Sequence, residues 1–150
     1  MQQAQRLIVL AVGLPACGKS AYFARHHINT LSSDSLRHIL LDDETDQSRQ
    51  HYVFSVLRYL LRLRLLAGRP VSYVDATNLS RRERAPYFTI ARNFECLVDA
   101  IYFDVSLEVC LVRNRNRPRR VPEEAIRDLA AKLEPPTLAE GFRQIIVVRD

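Results

Sequence analysis

Residues 7–20 read LIVLAVGLPACGKS, and the reading of the fold starts there. Leu7–Val12 is an unbroken apolar run of strand length, the pattern of a strand buried on both faces within a parallel sheet. Gly13 to Ser20 then satisfies G-x-x-x-x-G-K-[ST] and leads into a helical segment. A loop placed between strand and helix in this way turns successive backbone N–H groups inward. The helix terminus behind it adds about half a positive charge, so the loop can hold a run of phosphates largely through its backbone. Gly13 and Gly18 let the chain approach those phosphates without a Cβ.

Side chains complete the cradle. Lys19 is a compact cation suited to β and γ phosphates, and the Ser20 hydroxyl is a Mg²⁺ ligand. Pro15, Ala16, Cys17 and Ala21 make up the remainder of the loop. The composition adds weight: the 22 basic residues are 20 arginines and two lysines, Lys19 and Lys132. In a chain that otherwise uses arginine, one of the two lysines stands where a phosphate loop requires it. The implied ligands are ATP, or another nucleoside triphosphate, and Mg²⁺.

Length and composition narrow the class. A chain of 150 residues reads as one domain, residues 1–150, with enough apolar content for a core and too much for disorder. The net charge of +5 is local. Arg113, Arg115, Arg117, Arg119 and Arg120 fall in one eight-residue window without an acid, and the rest of the chain is balanced. Cys17, Cys96 and Cys110 lack the spacing of a disulfide framework or zinc knuckle, so reduced thiols and a cytoplasmic location are expected. The apolar run at 7–17 resembles a short leader, but Gly18-Lys19-Ser20 argues against that. No stretch reaches the roughly 20 apolar residues of a membrane span.

Short apolar runs alternate with helical segments, which predicts βαβ units: an α/β, three-layer fold with a mostly parallel sheet of about five strands and helices on both faces. Strands are expected at Leu7–Val12, Ile28–Leu31, Val71–Asp75, Leu97–Val105 and Ile145–Val148. Helices are expected at Ser20–His27, Ser35–Leu41, Gln47–Ala67, Ser80 to about Asn93, Ser106–Arg113 and Pro122 to about Leu133. In the long helix Val53, Val56, Leu57, Leu60, Leu61 and Leu65 form the buried stripe, and Arg58, Arg62 and Arg64 the other side. Ser80 with Glu83 reads as a capping box.

Three further features bear on chemistry. Asp34 and Arg37 follow the second strand as S-S-D-x-x-R, at the carboxyl edge where open α/β sheets bind ligands. Asp34 can orient a hydroxyl and accept its proton, or simply cap the next helix, while Arg37 can grip an anion with its planar fork. Asp75 ends a strand and suits a Mg²⁺ site, a buttress for Arg37, or the tie of the Thr77–Asn78 turn. The arginine window reads as a lid over the transferring phosphate (about 113–122), a solvated basic loop, or a nucleic-acid contact.

Taken together, Gly13–Ser20, Ser33-Asp34-x-x-Arg37, Asp75-Ala76-Thr77-Asn78-Leu79, the segment from Glu108 to Arg113-Asn114, and Arg117 through Val121-Pro122 resemble the 5′-hydroxyl polynucleotide kinase branch of P-loop kinases. These are the kinase domains of phage and bacterial end-repair enzymes. Glu140-Gly141-Phe142 is similar to related AAA-type ATP-binding proteins. The resemblance implies a P-loop NTPase fold and transfer of the γ-phosphoryl of ATP to the 5′-OH end of DNA or RNA. It also implies Asp34 as general base, Arg37 on the substrate phosphate, and Lys19 and Ser20 on ATP and Mg²⁺. Arg117, with Arg113 nearby, then acts from the lid, and Asp75 supports the metal or Arg37. The family's usual G-x-P-G-S-G-K-S-T differs here at Ala16, Cys17 and Ala21, so a stiffer loop is expected. No phosphatase-like D-x-D-G-T occurs, and the chain reads as a kinase domain alone or half of a split system.

Two other readings stay open. One is a P-loop kinase of a small molecule such as an antibiotic, sugar nucleotide or other metabolite; the other is a catalytically degenerate nucleotide-binding module. A basic groove leading from Asp34, lined in part by Arg81, Arg82 and Arg84, distinguishes a nucleic-acid acceptor from a small one. DNA or RNA preference, nucleobase specificity and oligomeric state are left open by the sequence.

Overall fold

The computed structural model describes residues 5–149. Five strands, β1 (Leu7–Val12), β2 (Thr30–Ser32), β3 (Val71–Asp75), β4 (Leu97–Phe103) and β5 (Ile145–Val148), form one sheet in the order β2-β3-β1-β4-β5. Every pairing is parallel, with Leu7 opposite both Val71 and Leu97. Six helices connect them: α1 (Lys19–Arg25), α2 (Ser33–Leu41), α3 (Gln50–Leu66), α4 (Arg81–Phe94), α5 (Leu107–Arg115) and α6 (Glu123–Lys132).

The central strand shows why its sequence is apolar without alternation. Ile8, Leu10 and Val12 enter one core with Leu57 and Leu61 of α3 and Tyr87 and Ile90 of α4. Val9 and Ala11 enter a second, with Phe23 of α1, Phe103 and Cys110 of α5. Both faces are covered, so each β1 residue from Ile8 onward is buried, as a parallel sheet between helical layers requires. This is the expected architecture, and it puts the ends of β1, β2 and β3 on one edge.

Several details differ from the sequence reading. β2 starts at Thr30 rather than Ile28, because His27 takes a φ of 53° and the Ile28 N–H closes α1 by donating to Phe23 O at 2.9 Å. α2 starts at Ser33, with the Ser32 hydroxyl accepting from the Ser35 N–H at 3.2 Å. Arg64 does not sit with Arg58 and Arg62: it turns to the sheet edge, donating from Nε to Ser72 Oγ (2.9 Å) and from Nη2 to Val71 O (2.8 Å). A 3-10 turn at Leu138–Glu140, held by a capping box between Thr137 and Glu140, was not expected. The Ser80 cap is present, but Glu83 reaches back to the Leu79 N–H (3.0 Å) instead of to Ser80 itself.

Candidate active site

Four segments meet at the carboxyl edge of the sheet: residues 13–20 after β1, Asp34 and Arg37 on α2, Asp75 ending β3, and the arginine segment after α5. Register fixes part of this, since Ser32 lies opposite Asp75.

The phosphate loop is tight. A Cβ on Gly13 would come within 2.7 Å of Cys17 Sγ and 3.0 Å of Phe103 Cβ, so this position needs glycine. Gly18 caps α1 at φ 100° with no side-chain hydrogen bond, leaving the first amides of the helix without a side-chain acceptor. Ala16, in place of the usual glycine, adopts a φ of 63°, a left-handed conformation that costs an L-residue about 1–2 kcal/mol. The expected stiffness therefore takes the form of local backbone strain. Cys17 is buried at 2% exposure, and its sulfur packs into the core under the loop. Lys19, itself buried, folds over the loop and donates from Nζ to Gly13 O (2.9 Å), Leu14 O (2.8 Å) and Cys17 Sγ (3.6 Å). Its charge thus sits against the inner curve of the cradle.

Ser20 Oγ donates to Asp75 Oδ2 at 2.8 Å. Burial pushes the Asp75 carboxyl above its ordinary value and the nearby Asp34 adds to this, against the opposing Ser20 hydrogen bond and Lys19 charge. A buried carboxylate touching a phosphate-loop hydroxyl supplies hard oxygen ligands of the kind Mg²⁺ takes, so the donor set fits that ion. Among the described residues Asp75 forms no hydrogen bond or ion pair with Arg37, and the Thr77–Asn78 turn is tied without it: Gly13 N donates to Thr77 O (3.0 Å) and Asn78 Nδ2 to Ala11 O (2.8 Å).

Asp34 does not cap α2, since Ser32 does that. The Asp34 side chain is 67% exposed, and its Oδ1 accepts from Arg37 Nη1 at 2.6 Å. Arg37 is buried at 4% exposure. Nη1 also reaches Glu44 O (3.4 Å), and Nη2 donates to Gln50 Oε1 (2.7 Å), which no sequence signal had marked. Its Nε is buried without a partner. A buried guanidinium N–H left unspent is costly and suits an incoming anion.

Arg113 lies across the phosphate loop, donating from Nη1 to Cys17 O at 3.1 Å. Buried Asn114 pins the base of the arginine segment through Nδ2 to Val121 O (2.6 Å) and the Val121 N–H to Oδ1 (2.9 Å). Arg117 is exposed. Arg119 reaches toward the α2 side, pairing with Glu44 in the loop between α2 and α3. The segment thus bridges the phosphate loop and the Asp34–Arg37 side.

Arg84 does not line a groove: it is fully buried, and its guanidinium binds Glu140 by two bonds (2.8 and 3.0 Å) and the carbonyls of Asn78 and Leu79. Arg81 and Arg82 do line a cleft, together with Phe88 and Arg92, on the α4 flank. No residue of the phosphate loop, Asp34 or the arginine segment borders it.

A parallel sheet in this order, a glycine loop after β1 and an arginine segment facing it define a P-loop kinase fold. The chain belongs to the AAA domain family, whose sequence pattern matches residues 8–136. It is similar to the L-seryl-tRNA(Sec) kinase of Methanococcus maripaludis, at 23% identity over 138 residues that take in 87% of this chain and 53% of that protein. The chain therefore spans about half the length of that curated relative. Among solved structures, one from Chloroflexus aurantiacus superposes with a TM-score of 0.74 at 17% identity, covering 99% of this chain and 87% of that one. A chain of the Pnkp1/Rnl/Hen1 RNA repair complex superposes with a TM-score of 0.70 at 21% identity, covering 88% and 45%. No helix among the described residues is long and apolar enough to cross a membrane.

Proposed function

We propose that this domain is an ATP-dependent kinase that moves the γ-phosphoryl group of ATP to the 5′-OH end of DNA or RNA, in the cytoplasm. The observation that carries this reading is the pairing of exposed Asp34 with buried Arg37, whose Nε has no partner, on the same sheet edge as the Lys19 loop. An acceptor needs a base for its hydroxyl and, where the hydroxyl belongs to a nucleic acid, a grip on the adjoining phosphate. Asp34 and Arg37 can supply one each. The similarity to a chain of an RNA repair complex and to an L-seryl-tRNA(Sec) kinase supports an acceptor that is, or is carried on, a nucleic acid.

The acceptor oxygen forms a bond to the γ-phosphorus as the bond from that phosphorus to the β–γ bridging oxygen breaks, and ADP leaves. Asp34 takes the hydroxyl proton; a positioned base of this kind contributes about 10²–10⁴ in rate. Lys19, the loop amides and Arg113 hold the nucleotide phosphates. Arg117 or Arg119 meets the charge on the transferring group, a role worth roughly 10³–10⁵ for an arginine acting in cis or trans. Ser20 and Asp75 would hold Mg²⁺, which when bound offsets negative charge on the phosphates.

Incubation with γ-labelled ATP, Mg²⁺ and either a 5′-OH oligonucleotide or a panel of sugars, nucleosides and aminoglycosides tests the reading. Label is expected on the oligonucleotide. Label on a small acceptor alone means a small-molecule kinase, and label on neither means a nucleotide-binding module.

A further inference from the structure

Helix α3 is apolar on two sides. Val53, Leu57, Leu61 and Leu65 are fully buried against the sheet. On another side Tyr52, Val56, Tyr59, Leu63 and Leu66 follow one another at intervals of four, three, four and three residues, with Val56 at the border, half-buried against the core. That is the spacing of a coiled-coil seam, and it runs about 21 Å at 1.5 Å per residue. Of these, Tyr52, Tyr59, Leu63 and Leu66 are 54%, 60%, 42% and 70% exposed. A helix with apolar surface on both sides is normally packed between two bodies, and the described chain supplies one.

Charge points to the second. The turn leading into α3 carries Asp42, Asp43, Glu44 and Asp46; Glu44 pairs with Arg119, and with Arg49 beside the turn the acids remain in excess there. Hydrogen bonds from Thr45 and Ser48 hold the Asp43 and Asp46 carboxyls below their ordinary range, so both are ionised. The far half of α3 and the residues after it carry Arg58, Arg62, Arg64 and Arg69 and no acid; Arg64 is spent on the sheet edge, and Arg62 and Arg69 are exposed. Laid antiparallel on a second copy, seam meets seam, and each acidic turn approaches the other copy's Arg62–Arg69 end. A parallel alignment would stack like charges. Both halves of this complementarity lie on one chain, as an isologous twofold contact requires.

We infer that α3 is a homodimer interface in which two copies of this chain pair antiparallel through the seam from Tyr52 to Leu66. The interface is independent of the acceptor, and the phosphate-transfer site lies outside the seam.

Sedimentation equilibrium on the full chain, with far-UV circular dichroism to check folding, is the test. Wild type is expected at twice 17.3 kDa at high concentration, dissociating on dilution and more readily in high salt. Leu63→Glu puts two carboxylates into the seam at once and is expected to read as monomer with an unchanged spectrum. Tyr59→Arg is a second, chemically different break. Val112→Glu, at an apolar residue 52% exposed on α5, is expected to stay dimeric. A wild type that is monomeric at every concentration overturns the inference, whether or not a different protein binds α3. So does a folded Leu63→Glu or Tyr59→Arg variant that remains a dimer, or a Val112→Glu variant that dissociates.

Discussion

Arg84→Met is expected to destabilise the domain by about 3–5 kcal/mol, the usual cost of removing one partner from a buried ion pair. Arg84 has no exposed side-chain surface and Glu140 has 4%, so neither charge can turn to water. The substitution leaves the Glu140 carboxylate unpaired apart from its Thr137 contacts and orphans the Asn78 carbonyl, while Leu79 O keeps the Glu134 N–H at 2.9 Å. Against a total stability of about 5–15 kcal/mol this is a large fraction, and at 2–4 °C per kcal/mol it lowers the melting temperature by roughly 6–20 °C. The double variant Arg84→Met, Glu140→Leu removes both charges and is expected to regain most of the loss, since apolar replacement of a whole buried pair is often neutral or better. Equilibrium urea unfolding of wild type, both single variants and the double variant closes the cycle. A single-variant loss below about 1 kcal/mol, in the range of an exposed pair, would mean that Arg84 and Glu140 are not a buried, mutually dependent pair, as would a double variant as unstable as the two losses added.

Glu140 also predicts an acid response. Burial disfavours its ionised form, but hydrogen bonds from Arg84 and the Thr137 amide, with the charges of Arg84 and Arg81, outweigh this and hold the carboxyl below its ordinary 4.5. The stability it contributes is present above pH 4.5 and lost as pH falls through the lower folded value, so Glu140→Gln should lose stability at neutral pH and show a flatter acid limb in denaturant titrations. Asp75→Asn should be no less stable than wild type at neutral pH, because burial penalises the Asp75 carboxylate, while phosphoryl transfer falls at least tenfold; calorimetry and a turnover assay check the two halves. Glu44→Gln breaks an exposed pair with Arg119, so stability should change by less than about 1 kcal/mol while trypsin cuts faster within 113–120. Unchanged cleavage would show that the pair does not hold the arginine segment.

Much of the fold was legible because β1 and the loop after it obey local rules. An apolar run without alternation specifies a strand covered on both faces, and G-x-x-x-x-G-K-[ST] specifies the loop geometry, down to the Gly13 that Cys17 and Phe103 leave no room to enlarge. Val71–Asp75 and Ile145–Val148 also kept their expected bounds, the latter as an edge strand whose Ile146 and Val147 stay exposed. The site was legible where sequence neighbours act together, as with Asp34 and Arg37 one helical turn apart. It was not legible where partners are distant in the chain. Gln50 on Arg37, Glu44 on Arg119 and Glu140 on Arg84 are long-range pairs that leave no periodic signal. Arg84 in particular shares its local pattern with Arg81 and Arg82, and only tertiary packing sends it inward.

The proposed role of Asp34 is to serve the terminal 5′ hydroxyl of a nucleic acid strand. One oligonucleotide made with a 5′-OH and again with a 5′-phosphate, each incubated with γ-labelled ATP, Mg²⁺ and wild type or Asp34→Ala, measures this directly. Label is expected on the 5′-OH strand alone, removable by a terminal phosphatase, with none from Asp34→Ala although that variant still binds ATP. Equal label on both strands, or full transfer by Asp34→Ala, contradicts this role.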